Sequence, residues 1–379
     1  MRTRFTKVMV SVMAVMAAFA MISCGSQKAK EIKIASINPL TGEAATYGQS
    51  TKNGMELAVE EWNAAGGVLG RQIKLIVEDD KGDPAEGASV FTKVIEQDKV
   101  VAIVGGITSR VAVAGAPIAQ AAKIPMLTPT ATNEKVTLIG DYIYRSCFID
   151  PFQGKVGAKF ASEDLGIKNV GIIFDLGNDY SKGLAETFTQ SFTALGGTIV
   201  ASEGYPSGVT DFKAQLTKIV QTNPECLYIP AYYSDVGLIA KQVRELGFKG
   251  TLLGVDGWDS SELVNIGGDS VNGAYFTNHY SKDDTRPEVQ AIVQKYSAKY
   301  GAAPDALAVL AYDGMNIMLD AIKRAGSTKN EAIRDALKTT NLACVGGQIT
   351  YDEFRNPMKS VVIIEMKDGQ QVYKTTVNP

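Results

Sequence analysis

The sequence predicts an α/β protein of two doubly wound lobes, each built on a parallel sheet with helices on both faces. Three observations carry this. Short, near-continuously apolar strands alternate with amphipathic helices along the chain, which is the pattern of strands buried on two sides. The alternation fills two stretches of similar size and restarts after Asp150-Pro151. No Pro/Gly/Ser-rich linker separates the stretches, so the lobes are joined by segments that cross between them. The chain has 379 residues, room for two domains at roughly 150 residues each. Its 45% apolar content is that of a globular protein with real cores.

The first 30 residues stand apart. Arg2, Arg4 and Lys7 precede an apolar run over residues 8–22 broken only by Ser11, and small residues follow. A basic start, an apolar stretch of this length and a small-residue end make an export signal over residues 1–23. The run is too short to span a bilayer comfortably, which takes about 20 residues. Met21-Ile22-Ser23-Cys24 resembles a bacterial lipobox, with Met where Leu is commonest and a bulky Ile before Ser23. That makes Cys24 the expected lipidated N-terminus and residues 24–30 a tether; an ordinary cleavable signal with an incidental cysteine is the alternative. The expected location is extracytoplasmic, at a membrane surface.

From residue 31 the elements follow in order. A strand over 31–37 enters the turn-rich Asn38-Pro39-Leu40-Thr41-Gly42. Met55, Ala58, Val59 and Trp62 then mark one helix face, and Gly66-Gly67 ends that helix. A strand over 73–77 precedes Asp83-Pro84-Ala85-Glu86: an N-cap, a proline at the first helical position and a capping-box acid. Ala88, Phe91 and Ile95 are expected to face inward from that helix. A strand over 100–104 enters Gly105-Gly106-Ile107-Thr108-Ser109 and a helix running to Ala122. A short strand over 124–127 enters Thr128-Pro129-Thr130-Ala131-Thr132-Asn133. In the second stretch a helix from Phe152 leads to strands over 169–174, 198–201, 226–229, 251–255 and 273–277. Helices over 180–195, 211–221 and 235–246 separate the first four of these, the last carrying Val236, Ile239, Ala240 and Val243 on one stripe. Helices near 287–300, 305–325 and 329–338 and strands over 361–366 and 371–374 complete the chain.

Several function classes find no support. His279 is the single histidine, so any His-based nucleophilic arrangement must use it. HExxH, GxGxxG and GxxxxGK[ST] motifs are absent. Paired acids such as Asp79-Asp80 and Asp283-Asp284 read as solvated turns rather than glycosidase chemistry. The formal net charge of −3, without a Lys/Arg block, argues against nucleic acid. Past Cys24, Cys147, Cys226 and Cys344 allow one disulfide at most, and their spacing excludes a zinc cluster. Three buried thiols are the expectation. No metal, no cofactor and no catalysis are expected.

The informative residues lie past the strand ends, where open α/β sheets bind ligands. In the first stretch these ends carry Thr108-Ser109 and Thr128-Pro129-Thr130-Ala131-Thr132. Hydroxyls and open backbone N–H groups there suit an anion such as a carboxylate; plain helix capping by Ser109 and Thr132 accounts for them equally. In the second stretch the ends carry Asp175 through Tyr180, Tyr232-Tyr233 and Val255-Asp256-Gly257-Trp258. An acid among aromatics suits an ammonium; the alternatives are an Asp-Gly turn at Asp256 and ordinary packing at Tyr232. A carboxylate site facing an ammonium site describes an α-amino acid held between lobes.

These residues also carry a resemblance. Residues 42–48, Ala64-Ala65-Gly66-Gly67-Val68-Leu69-Gly70, Asp79-Asp80 with Asp83-Pro84, Thr128 through Thr132, Asp175 through Tyr180, Tyr232-Tyr233 and Gly254-Val255-Asp256-Gly257 resemble, in one order, the branched-chain amino acid binding proteins of bacterial ABC importers. The resemblance implies a type I periplasmic-binding fold with three crossings, with lobe 1 at 31–150 plus 280–360 and lobe 2 at 151–279 plus 361–379. It implies that Ser109 and Thr132 hold the ligand carboxylate and that the Thr130 carbonyl accepts from the ammonium. Asp256 would pair with the ammonium, Tyr232 would assist, and Tyr47 and Tyr180 would line or close the side-chain pocket. Implied partners are an aliphatic L-amino acid and a membrane permease, the protein acting as a monomer. A sensor subunit of the same fold, or a non-branched amino acid, amide or small carboxylate as ligand, are the alternatives. Asp256 departs from the glutamate of better-known members, and the 79–84 segment lacks a cysteine that some members use in a disulfide.

Overall fold

The structure is a computed structural model in which residues 31–378 are described; the signal, Cys24 and the tether lie outside these residues. The first sheet contains β1 (Ile32–Asn38), β2 (Ile73–Asp79), β3 (Ala102–Gly105), β4 (Met126–Thr128) and β5 (Ile143–Arg145). They lie in the order β2-β1-β3-β4-β5, all parallel. Their apolar runs are continuous because both faces are covered. Along β1, Ile32 and Ile34 enter the core shared with helices Ala45–Ala64 and Ala306–Ala325. Ala35 and Ile37 enter a second core under helices Pro84–Lys93 and Ser109–Ala121.

The second sheet contains five parallel strands, β6 (Asn169–Asp175), β7 (Thr198–Tyr205), β8 (Cys226–Tyr228), β9 (Thr251–Gly254) and β10 (Tyr275–Asn278). A separate two-stranded hairpin, β11 (Asn341–Cys344) and β12 (Gly347–Thr350), belongs to neither large sheet. β13 (Val361–Lys367) and β14 (Gln370–Val377) then add an antiparallel edge to the second sheet, in the order β14-β13-β10-β9-β8-β6-β7. Asp368 (φ 50°) and Gly369 (φ 71°) turn this last hairpin. Two residues at positive φ are what a two-residue I′ turn requires, and Asp-Gly supplies them cheaply. The chain therefore passes between the sheets three times: after β5, after β10, and before β13.

Some details differ from the sequence expectation. Asp83 caps its helix, accepting from Ala85 N (2.9 Å) and Glu86 N (3.0 Å). Glu86 does not complete a capping box, because the Asp83 N–H is already given to the Asp80 carbonyl; Glu86 pairs with Lys81 instead. The buried stripe of that helix is Gly87, Val90 and Phe91, continued by Val94, with Ala88 and Ile95 only part-buried. A π-turn over Val94–Asp98 shifts the phase. The stripe Val236, Ile239, Ala240 and Val243 is fully buried in helix Tyr233–Glu245. β5, helix Lys135–Leu138 and the β11–β12 hairpin were not anticipated. Runs of three or four residues carry too little periodicity to read. Cys147, Cys226 and Cys344 are separate buried thiols.

Candidate functional site

The carboxyl ends of both sheets meet at one cavity. All seven residues singled out from the sequence line it: Tyr47, Ser109, Thr130, Thr132, Tyr180, Tyr232 and Asp256.

The wall from the first sheet is made of hydroxyls and backbone. Thr128 Oγ1 donates to the Gly106 carbonyl (2.7 Å) and Thr130 Oγ1 to the Ile107 carbonyl (2.6 Å), tying the loops after β4 and β3 together. Ser109 Oγ accepts from Asn133 N (3.3 Å). Thr108 Oγ1 is buried with no partner among the described residues, and the buried Thr132 hydroxyl faces only the Asp150 carboxyl. Helix capping does not account for Ser109 and Thr132. The N-cap of helix Ser109–Ala121 is Thr108, with no side-chain cap bond, and Thr132 precedes no helix directly. The first N–H groups of this helix lack i−4 carbonyls, which gives the wall its positive end.

The opposite wall centres on a carboxylate. Asp256 follows β9, and its Oδ1 accepts from Tyr180 OH (2.6 Å) and Gln153 Nε2 (3.0 Å). His279 Nε2 lies 3.0 Å from Asp256 Oδ2. A carboxylate only accepts, so this bond places the imidazole proton on Nε2 and leaves Nδ1 without a partner among the described residues. Burial holds the His279 pKa below its usual value, against the opposing pull of Asp256. The imidazole is therefore neutral, stacked on Phe148 at 3.6 Å between ring centres. Burial also raises Tyr180 well above the ordinary phenol value, with Asp256 adding to it, so the hydroxyl stays a donor. Tyr180 OH in turn accepts from Gly257 N (2.9 Å). Gln153 Oε1 accepts from Asp256 N (2.9 Å) and Thr277 Oγ1 (2.6 Å), fixing the peptide as well as the side chain.

Aromatic rings and apolar side chains enclose the rest. Tyr232 stacks on Tyr180 (5.1 Å) and meets the edge of Tyr47 (5.6 Å). Ile107, Leu307 and Leu310 supply an aliphatic wall. The two sheets' elements are clasped across the cleft. Tyr47 OH donates to the Gly257 carbonyl, Tyr233 OH to the Glu43 carbonyl (2.9 Å) and Asn133 Nδ2 to the Asp179 carbonyl (3.1 Å). Gly257 has no space for a side chain: a Cβ would sit 2.8 Å from Tyr180 OH and 3.0 Å from the Ala231 carbonyl. Sequence reading missed Gln153 and the aliphatic wall, and it considered His279 only as a candidate catalyst. The one available signal was that His279 stands at a strand end.

Comparison with known proteins follows the same outline. The sequence model of a family described as "Periplasmic binding protein" matches residues 31–371. A Leu/Ile/Val-binding protein of Rhizobium johnstonii is 35% identical, covering 85% of this chain and 88% of its own. A leucine binding protein from Thermotoga maritima superposes with a TM-score of 0.87 at 40% identity, over 92% of this chain and 99% of that one. A branched-chain amino acid transporter substrate binding protein of Streptococcus pneumoniae, solved in complex with isoleucine, gives 0.88 at 35% identity, over 92% and 100%.

Proposed function

The chain belongs to the periplasmic binding protein family, and from that premise we propose that it captures an aliphatic L-α-amino acid, a branched-chain one foremost, between its lobes. The observation that carries this reading is the polarity of the cavity: hydroxyls and open backbone N–H groups past β3 and β4 on one wall, a carboxylate on the other, and an aliphatic patch beside them. A zwitterion with an apolar side chain matches all three. In this reading Ser109 and Thr132 hold the carboxylate by hydroxyl and backbone N–H. The Thr130 carbonyl and Asp256 take the ammonium, Tyr232 assists, and Tyr47 and Tyr180 enclose the side chain. The lobes are residues 31–150 plus 280–360 and 151–279 plus 361–379.

Closure of the cleft buries the ligand, and the closed form delivers it to an ABC permease without chemical change. The protein works as a monomer outside the cytoplasm, held to the membrane by lipid on Cys24. Support for the tether is confined to the sequence of the first 30 residues. Among the described residues no helix is long and apolar enough to cross a membrane.

Thermal denaturation in the presence of L-leucine, L-isoleucine and L-valine tests the assignment, with small carboxylates lacking an ammonium as controls. A ligand at about 100 times its dissociation constant should stabilise the fold by about 2.7 kcal/mol. Stabilisation by the carboxylates but by no aliphatic amino acid would overturn it.

A further inference from the structure

Behind the hydroxyl wall lies a buried cation. Arg145, the last residue of β5, is fully inaccessible to solvent. Its described hydrogen-bond partners are neutral oxygens: Nη1 donates to the Ala131 carbonyl (2.8 Å), and Nη2 to the Asn133 carbonyl (2.8 Å) and Thr137 Oγ1 (3.2 Å). Nε has no partner among the described residues. Burying a charge without a counter-charge costs several kcal/mol. The nearby Cys147 thiol is itself neutral, held up to about 12 by burial, and Asp150 and the exposed Asp352 act on the guanidinium only at a distance; burial raises Asp150 to about 8, so at neutral pH it is mostly uncharged.

The geometry of the loop gives the cation an outlet. There are no cis peptides among the described residues, and in a trans peptide the C=O and N–H point in opposite directions. Where Arg145 draws in the Ala131 carbonyl, the N–H of the same peptide, that of Thr132, points away from the guanidinium. Thr132 lines the cavity, its N–H has no described acceptor, and its hydroxyl lies beside the Asp150 carboxyl.

We propose that Arg145 is a positioning residue for anion recognition. It fixes the 131–133 loop and polarises its peptides, so that the ligand's carboxylate is its counter-charge one peptide away, without contact. This inference rests on the amino-acid reading of the cavity.

The test compares L-leucine with L-leucinamide, which keeps the ammonium and loses the carboxylate charge, by calorimetry on wild type, Arg145→Met and Arg145→Lys. Wild type should prefer the acid. The preference should fall at least about tenfold in Arg145→Met and by less in Arg145→Lys, which keeps a cation but reaches fewer carbonyls. A purely structural arginine would weaken both ligands equally, and an unchanged preference in a folded Arg145→Met overturns the inference. If Arg145→Met does not fold, an unchanged preference in Arg145→Lys overturns it as well. Wild type that binds leucine with variants that keep the preference sinks this inference alone. Wild type that binds no aliphatic amino acid sinks the functional reading and this inference with it.

Discussion

The two walls of the cavity are opposite in sign and also opposite in construction. The wall from the first sheet presents hydroxyls and N–H groups, with its formal charge held behind the loop in Arg145. The wall from the second sheet puts its formal charge in the cavity, on Asp256, and surrounds it with donors: Tyr180, Gln153 and His279. A spread of dipoles tolerates the loss of one member, because the others remain. A single carboxylate does not, because removing it also strands three donors in a buried site.

That contrast sets the order of the mutational effects. Asp256→Ala should weaken amino-acid binding by about 100-fold or more, at least about 2.7 kcal/mol by titration calorimetry. A loss under about tenfold would mean that Asp256 is not the ammonium partner. Thr132→Val keeps the backbone N–H and removes one hydroxyl, so its cost should be about 1 kcal/mol, near fivefold. Equal losses in the two variants would erase the distinction between the walls. Tyr47→Phe removes the cross-cleft bond to the Gly257 carbonyl and keeps the ring. It should cost a similar or smaller amount, expressed chiefly as faster ligand release in stopped-flow traces.

A further effect, on stability rather than affinity, concerns pH. Burial raises Asp80 to about 7 and Asp150 to about 8. Both therefore sit above the unfolded value of about 3.9. A raised carboxyl contributes stability that is fully present below the unfolded pKa and is lost as pH rises through the folded one. Urea unfolding should therefore show stability declining between about pH 4 and 8 from these groups, and Asp150→Asn should flatten part of that decline. A decline unaltered by Asp150→Asn would show that Asp150 is charged in the folded protein.

Much of this was readable beforehand because it is local. Apolar strands followed by helices reveal parallel sheets, and small hydroxyls at a strand end are contiguous in Thr128 through Thr132. What escaped was assembled by topology. Gln153 reaches Asp256 across 103 positions, and Leu307 and Leu310 come from a helix remote in sequence from every other part of the site. Arg145 ends a three-residue strand in which a charge interrupts the apolar run, so composition pointed away from a strand and from a buried guanidinium. The capping alternative for Ser109 and Thr132 was removed only by seeing where the helices start.

The last hairpin carries a consequence for how the chain comes to be folded. β10 needs β13 as its neighbour, and the first sheet needs helix Ala306–Ala325 against its face. Neither half can be finished from the residues that begin it. During synthesis or export the early strands of both sheets must wait, incompletely covered, for segments that arrive near the end. Such long-range pairing slows folding and leaves apolar surface exposed meanwhile. A chain truncated before residue 306 loses the helix that covers the first sheet and the last hairpin of the second, and should therefore fail as a whole rather than leave one intact half.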